Sequence, residues 1–85
     1  MKYLYLITTE GCQGCKIMKN ILDEHFSDIR LRVQDIRFVP LWIKTNVKLD
    51  DFPTLVFIKD DVIRYHFSGT KSVRRIREII ENLKF

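Results

Sequence analysis

At Cys12 the hydrophobic period of the chain changes, and the change dictates a winding order. Tyr3-Leu4-Tyr5-Leu6-Ile7-Thr8 is a short apolar run that Glu10-Gly11 interrupts, which predicts a strand. From Cys12 onward, Met18, Ile21, Leu22, His25 and Phe26 fall at i, i+3, i+4, i+7 and i+8, one face of a helix reaching about Phe26. Ile29, Leu31 and Val33 then alternate with Arg30 and Arg32, as a half-buried edge strand does. A strand, a helix and a second strand in the same sheet cross over right-handed, so the two strands become parallel neighbours.

The remainder extends that unit. Pro40 suits the first turn of a short helix over Leu41 to Asn46. Thr54-Leu55-Val56-Phe57-Ile58 is a nearly continuous apolar run fit for a central strand covered on both faces. Lys59-Asp60-Asp61 turns the chain, and Val62 to Phe67 returns as a hairpin partner with Ile63, Tyr65 and Phe67 on one side and Arg64 and His66 on the other. Val73, Ile76, Ile79, Ile80 and Leu83 mark a last amphipathic helix to about Lys84. The expected fold class is therefore α/β, in the order βαβαββα: a four-stranded mixed sheet with helices on both faces, strands 1 and 3 in the middle. With 85 residues, 46% of them hydrophobic, the chain has material for a single domain over residues 1–85.

The only cysteines, Cys12 and Cys15, are three positions apart where the first strand gives way to the helix. A bridge closing a loop of roughly four residues is worth only about 2 kcal/mol, against about 4.7 for a loop of about a hundred, so the pair is a poor staple and a better switch. Helical spacing puts Cys15 on the face of Met18 and Leu22, and Cys12 on the polar side with Lys16 and Lys19. Cys12 also starts the helix, where free N–H groups, the dipole and the two lysines favour a thiolate, with Glu10 opposing. Cys12 is thus expected to be the acidic, attacking thiol and Cys15 the resolving one. Two close cysteines and no export signal fit a reducing cytoplasm, where a dithiol is catalytic more often than structural.

Three features together resemble the thioredoxin and glutaredoxin superfamily over essentially all 85 residues: Cys12-Gln13-Gly14-Cys15 after strand 1, Phe52-Pro53-Thr54 opening strand 3, and Ser68-Gly69 before the last helix. The resemblance implies a thioredoxin-like fold and a thiol-disulfide oxidoreductase that reduces protein disulfides through a mixed disulfide. Its only redox group would be the Cys12/Cys15 pair. It also implies a cis proline at Pro53 beside the dithiol and a substrate lying as an added strand on the backbone of Phe52. Gly11, Gln13, Gly14, Phe52, Pro53, Thr54 and Gly69 become the substrate-binding candidates.

Departures from each branch are informative. Thioredoxins place Trp before the first cysteine, Gly-Pro between the two and an acid six positions upstream; here stand Gly11, Gln13-Gly14 and Leu6. Glutaredoxins anchor glutathione with a basic residue three positions before the first cysteine and a Gly-Gly plus acid cluster before the last helix; here stand Thr9 and Ser68-Gly69-Thr70-Lys71-Ser72. Lys16 and Pro53-Thr54 are thioredoxin-like and the compact layout is glutaredoxin-like. Phe67-Ser68-Gly69 is similar to the Trp-Ser-Gly of small glutaredoxin-like proteins that serve ribonucleotide reductase. The favoured reading is a monomeric thioredoxin-like dithiol reductase of glutaredoxin size, with a thioredoxin-reductase-type or glutathione electron donor. The alternatives are a glutathione-dependent glutaredoxin and a non-catalytic binding module.

Blander readings account for the other candidates. Cys12, Cys15, His25 and His66 could be counted as zinc ligands, but His25 falls roughly 20 Å along the helix from Cys12, so no metal is expected. His25 is expected to be partly buried and His66 to point outward. Trp42 and Phe38 are expected in the core, with a place along a substrate groove as the other reading. A net charge of +4 and a pI near 9.3 come from basic residues interleaved with acidic ones, including Arg74, Arg75 and Arg77 beside Glu78 and Glu81. That is a solvated surface rather than a nucleic-acid face. Asp50 and Asp51 belong to a loop, and charges interrupt every stretch that could span a membrane.

Overall fold

Leu4 to Ile7 of β1 (Lys2–Thr8) and Thr54 to Ile58 of β3 (Thr54–Lys59) are buried without a break, which requires cover on both faces of the sheet. The computed structural model describes all 85 residues and supplies that cover. The sheet runs in the order β2-β1-β3-β4, with β2 (Arg30–Asp35) and β4 (Val62–Ser68) at the edges. β1 pairs parallel with β2 and antiparallel with β3, and β3 pairs antiparallel with β4.

The period-two alternation sends neighbouring residues into different cores. Leu4, Leu6, Leu55 and Phe57 meet Met18 and Leu22 of α1 (Gln13–His25) and Ile76 and Ile79 of α3 (Val73–Leu83). Tyr5, Ile7, Val56 and Ile58 meet Val39, Val47 and Ile43 of α2 (Leu41–Lys44) on the opposite face. Each fully buried aliphatic or aromatic side chain in these layers contributes about 1.5–3 kcal/mol, so each face holds its own helices. Burial also raises the Tyr5 hydroxyl above its ordinary range. Ser72 caps α3 by accepting the Arg75 N–H at 3.2 Å.

Several local expectations are corrected. Val33 is 40% exposed, because β2 is an edge strand and only its Leu31 packs against the larger core. The exposed His25 is the last helical residue, and it is Phe26, donating its N–H to Leu22 O, that turns inward. α2 stops at Lys44 rather than Asn46, where the side chains of Thr45 and Asn46 both donate to Trp42 O. The 4-residue helix leaves Trp42 and Phe38 outside the core, 40% and 66% exposed.

In β4 a bulge shifts the pairing, so that Ile58 faces Ile63 while Phe57 faces Tyr65. Ile63 therefore joins the α2 face, and Tyr65 and Phe67 stack near Phe57 at 6.0 and 6.1 Å. The hairpin turns at Asp60 and Asp61, whose φ values of 52° and 62° match a type I′ turn. The N-terminal ammonium meets the Asp60 carboxylate at 2.5 Å and holds it below the usual carboxylate range.

The two-core assignment separates two truncations. Ile76→Ala removes a fully buried side chain and is expected to cost about 2–5 kcal/mol in urea unfolding. Phe38→Ala removes a larger but exposed one and is expected to change stability by less than about 0.5 kcal/mol.

Candidate active site

β1 delivers the chain to the carboxyl end of the sheet, where Gly11 turns it at a φ of +71°, a conformation that glycine adopts without strain. Cys12 follows in extended conformation as the N-cap of α1, and its Sγ accepts the Cys15 N–H at 3.0 Å. The sulfur thus occupies the place of the usual capping oxygen. Cys12 and Cys15 are joined as a disulfide with Cα atoms 5.3 Å apart. Their environments differ: Cys15 is 5% exposed on the face shared with Met18 and Leu22, whereas Cys12 is partly open to solvent.

A second wall comes from the far end of the chain. A Cβ at Gly14 would stand 3.2 Å from both Pro53 Cδ and Thr70 Cγ2, so the helix approaches the proline loop closely enough that a side chain there would displace its neighbours by a few tenths of an ångström. The Phe52–Pro53 peptide bond is cis. Gly69 donates its N–H to Pro53 O at 2.8 Å and ties this loop to the end of β4. Thr54 is fully buried; its hydroxyl donates to Asp51 O at 2.7 Å and lies 3.1 Å from Ser68 Oγ, so its side chain braces the loop from within.

Of the candidate residues, Cys12, Gly14, Cys15, Pro53 and Gly69 are therefore gathered in one place, and Gly11 turns the chain into it. Gln13 is exposed at the first helical position. The Phe52 side chain packs instead against the core on the α2 face, which leaves only its backbone as a site element.

On the other flank of the dithiol lies a cavity of about 210 Å³ lined by Thr8, Thr9, Gly11, Lys16, Lys19 and the two cysteines. Lys19 pairs with Asp23 at 2.8 Å, and Lys16 has no ion-pair partner. The sequence marks Thr8 and Thr9 as wall residues only by two hydroxyl side chains closing an apolar strand. Leu6, where thioredoxins carry an acid, is fully buried, so this position supplies no carboxyl group. Asp35 pairs with Thr8 in strand register, but hydrogen bonds from Arg37 engage its carboxylate and lower its pKa.

The remaining candidates lie elsewhere. Trp42 lines a hollow of about 660 Å³ between α2 and β4 that includes neither cysteine. His66 is exposed on β4, and no three His, Cys, Asp or Glu side chains are grouped to hold a metal ion. No helix is long and apolar enough to cross a membrane.

No protein-family model matches the chain, and no curated protein matches its sequence. Solved structures do. The chain is similar to thioredoxin-2, described as a component of malaria parasite protein secretion machinery, with a TM-score of 0.77 and 14% identity over 96% of this chain and 82% of that one. It is also similar to thioredoxin 1 from the thermophilic eubacterium Thermosipho africanus TCF52B, with a TM-score of 0.68 and 19% identity over 94% of this chain and 91% of that one. With the mixed sheet in the order β2-β1-β3-β4, the architecture is the thioredoxin-like fold.

Proposed function

We propose that the protein is a thiol-disulfide oxidoreductase that reduces disulfides in other proteins. The observation that carries this reading is the meeting of a capped, partly open Cys12 with a covered Cys15 and the Pro53 loop, which packs against Gly14 between them. In the reduced protein the Cys15 N–H, the α1 dipole and the ammonium groups of Lys16 and Lys19 favour the thiolate of Cys12. That thiolate attacks one sulfur of the substrate disulfide. An S–S bond forms to Cys12, the substrate S–S bond breaks, and the departing sulfur takes a proton.

Cys15 then loses its proton and attacks Cys12 Sγ, releasing the second substrate thiol and closing the Cys12–Cys15 disulfide. Two electrons and two protons pass to the substrate. The same two must be restored by a donor, and a thioredoxin-reductase-type protein suits the site better than glutathione. Thr9 stands where a basic anchor is expected, and Ser68 to Ser72 include no acid. Phe52, Pro53 and Gly69 form the ledge for an extended substrate segment, with Gly11 and Gln13 at its rim. We place the protein as a monomer in the cytoplasm, where such a dithiol is kept reduced.

Disulfide reduction with dithiothreitol as terminal reductant tests the two sulfurs separately. Cys12→Ser is expected to lower the rate at least about a hundredfold, to the uncatalysed background. Cys15→Ser is expected to accumulate a mixed disulfide on Cys12, visible by mass spectrometry. Full activity of Cys12→Ser would remove the mechanism.

The close approach at Gly14 makes a separate prediction. Gly14→Ala gains about 0.5–1 kcal/mol in helix propensity but must displace Pro53 and Thr70 from the helix, at about 1–3 kcal/mol. A net loss of about 1 kcal/mol in urea unfolding is expected, together with a rise in KM for a protein disulfide as the ledge moves from the dithiol.

A further inference from the structure

The dithiol has two flanks of opposite chemistry. On the α1 wheel Gly14 lies about 200° from Cys12, whereas Lys16 and Lys19 lie within about 40° of it. Pro53 and Thr70 meet the helix at Gly14, and the cavity lined by Thr8, Thr9, Lys16 and Lys19 opens on the other side of the sulfurs. No carboxylate lines that cavity. The acidic groups nearest in sequence or register are Glu10, which is exposed, Asp23, which is paired with Lys19, and Asp35, which is engaged by Arg37. Lys16 is left without a counter-ion within 4.0 Å, and the hydroxyl of Thr8 has only a long bond, 3.5 Å, to Gln34 O. The unpaired ammonium group of Lys16, that of Lys19 shared with Asp23, and two hydroxyls, with no acid in the lining, form a pocket for an anion beside the sulfurs.

We propose that this cavity is a carboxylate subsite, which receives an acidic group flanking the reactive cysteine of the substrate and so makes acid-flanked disulfides the preferred substrate class. The inference rests on the reading of Cys12 as the attacking thiol. A substrate segment resting on the Pro53 ledge with its cysteine at Cys12 continues onto the lysine flank. One residue of extended chain covers about 3.3–3.6 Å, so an Asp or Glu beside that cysteine is within reach of the cavity. A small disulfide that carries its own carboxylates, such as glutathione disulfide, presents the same chemistry from a second source.

The test compares disulfide-linked peptides that differ only in the residue beside cysteine: Asp, Asn or Lys. Parent protein, Lys16→Gln and the double variant Lys16→Gln/Lys19→Gln are assayed against each, and against glutathione disulfide. The parent is expected to reduce the Asp peptide about fivefold faster than the Lys peptide at low ionic strength, the ratio falling toward one in high salt and in the double variant. The ratio is the readout, because any change the substitutions make to the reactivity of Cys12 affects all three peptides alike.

Lysine-dependent discrimination among the peptides assigns the carboxylate to a protein substrate. Lysine dependence confined to glutathione disulfide assigns it to a small thiol. A ratio near one in the parent, or one that survives loss of both lysines, overturns the subsite. A second measurement needs no turnover: fluorescence anisotropy of labelled serine-for-cysteine peptides with the oxidised protein. If no peptide is reduced while binding still favours Asp through the lysines, the oxidoreductase reading fails and the subsite stands. If binding shows no such preference, the subsite fails on its own.

Discussion

Burial of β1 and β3 on both faces is the constraint from which the remaining structure follows. Leu4 and Leu6 need one partner layer and Tyr5 and Ile7 another. The chain therefore has to place α1 and α3 on one side of the sheet and α2 on the other. A right-handed crossover from β1 through α1 to β2 then brings the start of α1 to the carboxyl end of β1, the edge at which open α/β sheets place their reactive groups. The same requirement puts β3 beside β1, and hence Pro53, the residue before β3, at that edge as well.

At that edge the chemistry depends on asymmetry between two sulfurs that are bonded to each other. Helix geometry supplies it without special residues: a cysteine at the N-cap is held at the surface by its bond from the Cys15 N–H, and a cysteine three positions later faces the core. The two flanks of the pair are then distinguished by what can approach. The Gly14 side is a tight contact of the helix with the side chains of Pro53 and Thr70, and the lysine side is an open polar cavity. A dithiol placed between them presents one partly open sulfur and two flanks of different chemistry.

Much of this was legible because the apolar periods were clean. The period change at Cys12, the nearly continuous run at Thr54–Ile58 and the stripe of Val73, Ile76, Ile79, Ile80 and Leu83 each had one physical solution. Sequence pattern and structure part where one extra or missing contact decides. The bulge between Ile63 and Tyr65 moves one side chain to the other face and leaves no trace in the hydrophobic pattern. Val33, Phe38 and Trp42 are apolar but lie beyond the reach of the two cores, and an edge strand and a 4-residue helix cannot cover them. In the site, the cysteines and Pro53 announced themselves by residue type. The contact of Gly14 with Thr70 and the wall formed by Thr8 and Thr9 are products of the assembled fold alone.

On the proposed mechanism the fold assigns different work to two neighbouring sulfurs, exposing Cys12 as the nucleophile and sheltering Cys15. Brief alkylation of the fully reduced protein at neutral pH, with the labelled position located by mass spectrometry, tests it most directly. The first label is expected on Cys12, with Cys15 modified only slowly. Equal labelling of the two, or faster labelling of Cys15, would contradict it.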